Sequence, residues 1–254
     1  MRKLQTVKDN VTTLETKLGN LTTSDEEAAD TLGKYFQEMF TKEHDKPSEE
    51  PIYIKGNQWS DSTMDFSTEA VMNQLQRLAE DKSAGPDDIH PIILKRCATA
   101  VTEPLSAIFK SSFETGKLPS DWKKANIVPI YKKGPKTDPA NYRPVSLTSV
   151  PCKIMEALIK GRLTQFLEKN SVISQQQHGF VTGRSCLTNL LDSLEQWTSA
   201  LDEGHGIYIL YLDYRKAFDS VPHHRLVVKL KSYGISGKLL EWLTDFQLLL
   251  ESRE

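Results

Sequence analysis

Apolar residues recur along this chain with two periods, and the changes between them mark its elements. Ala28, Leu32, Tyr35, Phe36, Met39 and Phe40 fall at helical spacing, and Ser24 followed three residues later by Glu27 is a capping pattern that opens a helix. The first twenty residues read as loosely ordered, and "KEHDKPSEEP" at 42–51 as a charged linker ending in turn residues. A second helix is expected over 68–80, stopped by "DKSAGPDD", and helices then dominate to about residue 124. "NIVPIYKKG" and "NYRPVSL" flank the turn-rich "GPKTDPA" and predict two strands of a long hairpin. Residues 149–169 follow as an amphipathic helix with Ile154, Leu158, Leu163 and Leu167 on its apolar side. A glycine-containing loop comes next, then a helix over 185–203. The nearly uninterrupted apolar run in "GIYILYLDY" predicts a central strand over 206–213, covered on both faces. Two more helices are expected at 222–232 and 237–250. The order predicts an α+β fold, helices packed on an antiparallel sheet, with no internal repeat.

Charge sharpens this picture. The 254 residues carry a net charge of −2, which argues against coating nucleic acid by bulk electrostatics. Its distribution is uneven: 24–50 is strongly acidic, whereas "WKKANIVPIYKKGPKT" at 122–137 holds five lysines and no acid. A local basic patch of this kind suits a polyanion held in one cleft. No apolar stretch approaches the length of a bilayer span, and the start "MRKLQTVKDN" has no hydrophobic signal core, so an intracellular protein is expected, nucleus or cytoplasm left open. Cys97, Cys152 and Cys186 follow no metal-ligand spacing and read as reduced, partly buried thiols without disulfide partners.

Three stretches could carry chemistry. Asp213 stands where the expected central strand leaves the core; an unpaired buried carboxylate there would be costly, and magnesium, an oxygen-seeking ion, would compensate it. The alternative is a strand end, or a pair with Arg215 or Lys216. Asp219 reads as a helix cap, beside Ser220 and ahead of Pro222. Lys132 and Lys133 end one hairpin strand and Arg143 begins the other; a point charge beside a bidentate fork suits a triphosphate, and a solvated turn explains the same residues equally well. In "QHGFVTGRSCLTN", Arg184 is a candidate phosphate contact, with Ser185 as a helix N-cap and Phe180 more simply placed in the core. His178 and the His223–His224 pair lack zinc spacing, and "GPDD" at 85–88 is explained by turn chemistry.

Five segments in this order, "SAGPDDIHPIILK", "LPSDWKKANIVPIYKKG", "NYRPVSLTSVPCKIMEALI", "QHGFVTGRSCLTNLL" and "YLDYRKAFDSVPHHRLVVKLKSYGI", resemble the amino-terminal half of a reverse transcriptase domain of jockey-like non-long-terminal-repeat retrotransposons. The resemblance spans about 83–242. It implies a right-hand polymerase fold of fingers and palm, truncated before the rest of the palm and the thumb. Asp213 would be the first metal-binding aspartate of the palm, with Tyr214 lending a backbone carbonyl to Mg2+. Phe218 would lie under the incoming sugar and reject a 2′-hydroxyl, and Lys132 and Arg143 would grip the incoming triphosphate. Lys133 and Arg184 would touch nucleic acid. The partners implied are an RNA template, a DNA primer and deoxynucleoside triphosphates, and the reaction is two-metal nucleotidyl transfer.

The sequence departs from the family pattern after "GISGKLLEWLTDF", where "QLLLESRE" stands in place of a Pro-Gln-Gly loop and an Asp-Asp hairpin. The expectation is therefore a partial domain over 83–254 (fingers about 83–203, start of the palm about 204–254). An acidic segment at 1–50 and a helical lead-in at 51–82 precede it. Such a chain would be an RNA-directed DNA polymerase fragment inactive by itself. The alternatives are a non-catalytic module binding RNA or an RNA–DNA hybrid, or a pseudogene product without function.

Overall fold

The structure is a computed structural model, and it describes residues 13–39, 58–214, 217 and 220–251, with the side chains of 247–251 excepted. Eight α-helices lie within these residues: α1 (Asp25–Gln37), α2 (Thr68–Gln76), α3 (Pro91–Arg96), α4 (Ala98–Thr115), α5 (Val150–Lys169), α6 (Cys186–Asp202), α7 (His223–Ser232) and α8 (Gly237–Glu251). Between α4 and α5 run the antiparallel strands β1 (Ala125–Tyr131) and β2 (Tyr142–Thr148). The hairpin and the helices thus stand where the residue pattern puts them. α2 stops short of the expected residue 80, its end capped by Arg77 donating to Gln74 and Leu75.

The main core is helical. Phe66, Val71 and Leu75 around α2, Phe109 and Phe113 of α4, and Met155 and Ile159 of α5 meet Ile235, Leu239 and Trp242 from the α7–α8 end of the chain. Burying side chains of this size stabilises by about 1.5–3 kcal/mol each. Polar contacts fix how α8 docks. Asp61 accepts from the backbone N–H groups of Lys238 (3.0 Å) and Leu239 (3.3 Å), capping the helix from far along the chain. Trp242 donates its indole N–H to Ser112 Oγ at 3.1 Å. Asp245 accepts from the Leu118 N–H and from Lys123 Nζ, both at 2.9 Å. Gly116 ends α4 at φ +64°, and a Cβ there would lie 3.0 Å from Glu241 Cβ, so α8 approaches too closely for a larger residue.

A second, smaller core lies apart from the first. Leu14, Ala28, Leu32 and Phe36 bury Tyr142 of the hairpin, with Tyr35, Met39 and Tyr131 packed at its edge. The expectation of loose order before α1 fails for residues 13–22: Leu14 is fully buried, Glu15 and Leu21 form an antiparallel bridge, and the Glu15 N–H donates to the Thr137 carbonyl at 2.7 Å. Leu14 gave no periodic signal because its partners lie in α1 and the hairpin. Ser24 caps α1 as expected by accepting from the Glu27 N–H (3.2 Å), whereas Glu27 Oε2 reaches back to the Thr23 N–H (2.7 Å) rather than to Ser24.

The expected central strand is the main correction. Residues 205–214 run without helix or ladder, and Tyr208, Leu210, Tyr211, Leu212 and Tyr214 are each at least 80% exposed. The β1–β2 hairpin is the sheet of the described residues, and it offers no strand beside this run. An apolar run becomes a buried strand only when something pairs its backbone and covers its faces. The thiols also differ from the expectation of partial burial: Cys152 is buried, whereas Cys97 and Cys186 are exposed.

Candidate nucleic-acid interface

The hairpin has two unlike faces, and its register decides which residues share each. Ile130 is paired with Arg143, Val128 with Val145 and Asn126 with Leu147. The Lys132 N–H donates to the Asn141 carbonyl at 2.8 Å and extends the ladder by one rung. Side chains alternate along a strand and opposed residues share a face, so Lys132, Ile130 and Arg143 stand together. Lys132 and Arg143 are diagonal neighbours, which in such a ladder places them about 7–8 Å apart. The hydrogen-bonded rungs fall at the even-numbered positions of β1, so Pro129 and Pro144, which oppose each other, sit where no inter-strand N–H is needed.

The other face is built from Tyr131 and Tyr142, edge-to-face with ring centroids 5.7 Å apart. Both tyrosines hold the tip loop. The Tyr142 hydroxyl donates to the Lys136 carbonyl at 2.7 Å, and the Tyr131 hydroxyl donates to the Gly134 carbonyl. Asn141 Nδ2 donates to the Pro135 carbonyl at 2.9 Å, and Asp138 Oδ1 accepts from the Ala140 N–H at 2.8 Å. Gly134 has φ +94°, and a Cβ on it would collide with the Asn141 amide at 2.6 Å. Lys132, Lys133 and Arg143 are exposed, and among the described residues none forms a side-chain ion pair. The tip is therefore fixed in shape and rich in uncompensated positive charge.

The second candidate stretch, the loop before α6, is used differently from expectation. Arg184 is turned inward: its Nη1 donates to the carbonyls of Gln175 and, at 3.2 Å, Gln177. His178 is sewn to α6 by Nδ1 to Thr188 Oγ1 (2.9 Å) and by Nε2 to Asp192 Oδ2 (3.1 Å). Ser185 caps α6 in a full capping box with Thr188. Phe180, expected in the core, is 85% exposed with φ +61°. The loop binds to itself and to α6 before it can bind anything else.

Asp213 and Tyr214 lie on the exposed run 205–214, and Asp213 makes no hydrogen bond or ion pair with a described residue. The strand expected to end at Asp213 is therefore not formed, and Asp213 faces solvent. Phe218, Asp219, Arg215 and Lys216 lie outside the described residues. α7 begins at His223 with Pro222 as its cap residue, and Ser220 Oγ donates to the Ala217 carbonyl at 3.3 Å. Among the described residues no group of three or more His, Cys, Asp and Glu side chains could hold a metal ion. None of the described helices is long and apolar enough to cross a membrane.

The residues that the sequence reading missed are those behind the tip: Tyr131, Tyr142, Asn141 and Leu14. The alternation of β1 and β2 offered a signal for the tyrosines, since both share a face opposite Arg143.

Comparison with known proteins supplies the context for this geometry. Residues 130–253 match the family described as reverse transcriptase (RNA-dependent DNA polymerase). Three Drosophila melanogaster proteins are similar over much of the chain. A probable RNA-directed DNA polymerase from transposon BS is 29% identical over 180 residues, 68% of this chain and 20% of that protein. Its counterpart from transposon X-element is 32% identical over 162 residues, 63% of this chain and 18% of the relative. The RNA-directed DNA polymerase from mobile element jockey is 31% identical over 164 residues, 64% and 18% respectively. The chain spans about a fifth of the length of these relatives.

Proposed function

We propose that the hairpin is the part of the polymerase fingers that grips phosphate, since residues 130–253 match the reverse transcriptase family and the chain is similar to RNA-directed DNA polymerases of mobile elements. The observation that carries this reading is the placement of Lys132 and Arg143 on one exposed face of a ladder whose opposite face is held by buried tyrosine. Arg presents a planar fork to phosphate oxygens and Lys adds a mobile point charge, so the pair suits the phosphates of a template, a primer or an incoming nucleotide. RNA-templated DNA synthesis is the activity proposed for the polymerase that such a domain serves, with Asp213 as a metal-binding aspartate of its palm.

Within this chain the described residues do not fit a bound magnesium. A two-ion centre is held by several oxygen ligands at once, and Asp213 is a single exposed carboxylate. The contribution proposed for these residues is therefore binding. Asp213's isolation equally favours the second reading, a nucleic-acid binding module without chemistry of its own.

The grip is tested by titrating the 254-residue protein with a fluorescent RNA–DNA hybrid at several KCl concentrations. Replacing Lys132, Lys133 and Arg143 together by Ala is expected to weaken binding and to flatten the salt dependence by roughly one logarithmic unit per lost phosphate contact. Unchanged affinity and slope would remove the proposal. Primer extension separates the two readings: no product is expected from this chain. Extension that Asp213→Asn abolishes would establish Asp213 as a catalytic metal ligand and overturn the binding-only reading.

A further inference from the structure

The tip cations sit at the free end of a two-stranded ladder, and a lone hairpin is marginally stable in water. Ile127, Val128 and Ile130 are each at least 40% exposed, so the middle of the hairpin receives little support from the main core. Its tip is held from a different quarter. Leu32 and Phe36 of α1, with the fully buried Leu14, enclose the Tyr142 ring. The strap over 14–22 is closed by Leu14 N–H to Thr22 Oγ1 (2.8 Å) and Thr22 N–H to the Leu14 carbonyl (2.7 Å). It hydrogen-bonds the tip directly through Glu15 and Thr137. None of the strap and α1 residues among them belongs to the main core, and those residues all precede the matched region 130–253.

From this we infer that residues 14–36 are a brace for the hairpin tip, with Leu32, Leu14 and Tyr142 as positioning residues that hold Lys132, Lys133 and Arg143 in one phosphate-binding arrangement. The inference rests on the grip proposed above. Its physical basis is pre-organisation: a tip already ordered loses little freedom when it meets a polyanion, whereas a loose tip must be ordered at binding. The brace packs on the face of the ladder opposite Lys132 and Arg143, so its contribution is positioning.

The test uses the whole chain, with backbone hydrogen exchange and hybrid binding measured on the same samples. Leu32→Ala is expected to speed exchange in the tip peptide 132–141 by about tenfold or more, while peptides from α4 and α5 keep their protection. Hybrid affinity should fall about tenfold, the size of an ordering cost for a few interfacial side chains. Leu32→Met, which refills the space, should restore both readouts. Tyr142→Phe keeps the ring and removes the hydroxyl that bonds the Lys136 carbonyl, so it loosens the tip even if Leu32→Ala proves poorly folded. Tip exchange unaltered in both Leu32→Ala and Tyr142→Phe overturns the brace alone. Faster tip exchange with unchanged affinity overturns its positioning role. Unchanged affinity in the Lys132, Lys133, Arg143 triple variant removes the grip itself, and the inference with it.

Discussion

α1 and α6 are both amphipathic helices opened by a serine cap, yet α1 buries Ala28, Leu32 and Phe36 whereas α6 buries no residue. The leucines of α6 at positions 187, 190, 191, 194 and 201 are each more than half exposed, and so is most of the apolar run that follows it. Propensity and capping suffice to mark a helix, but burial needs a partner, and α1 has one in the Tyr131–Tyr142 face of the hairpin. The same contrast separates the two halves of the candidate chemistry. The tip cations stand on a scaffold with a covered back, whereas Asp213 stands on an extended segment whose apolar side chains face water. An exposed apolar surface of this extent is the kind that marks an interaction site.

The largest test of the contrast is Trp242→Ala. Trp242 is 1% exposed at the centre of the main core, and its loss is expected to cost about 3–5 kcal/mol in chemical denaturation. The matching change in the open region, Leu194→Ala, is expected to stay within about 0.5 kcal/mol, as for other surface substitutions. A comparable loss at Leu194 would mean that α6 is covered in solution, and the comparison would break.

A smaller effect is expected at Asp61, whose carboxylate caps α8 across the chain. Asp61→Ala should cost about 1–2 kcal/mol by the same denaturation measurement, the range for a lost helix cap. No change would show that packing around Trp242 docks α8 unaided.

The smallest effect concerns pH. Hydrogen bonds from the Ser67 backbone and side chain, helped by the nearby Arg162 guanidinium, hold Asp65 below the ordinary carboxylate value against the opposing effect of burial. A carboxyl whose folded pKa is depressed adds stability that is complete above its unfolded value and fades as pH falls through the folded one. Asp65→Asn should therefore be slightly less stable than the parent near neutrality, and the two should converge in acid. The pair with Arg162 is partly exposed, so the difference is small and shrinks in salt. A gap that widens on acidification would contradict the assignment.

What could be read from the amino acids alone was local. Helices and hairpin strands follow from the spacing of apolar residues, caps from Ser24 and Ser185, and the basic tip from lysines clustered around a turn. The order of five short motifs carried the resemblance to reverse transcriptases, because ordered motifs multiply their specificity, and residues 130–253 match that family. Tertiary structure decided which apolar faces found cover. Nothing in the residues 207–212 distinguishes a buried strand from an exposed one, since a strand's burial belongs to its neighbours. Leu14 and Asp61 owe their roles to partners 8 and 178 residues away, and no local period records contacts of that reach. Lys132 and Arg143 share a face for the same reason: the register of the ladder, set by pairing across the turn, put them there.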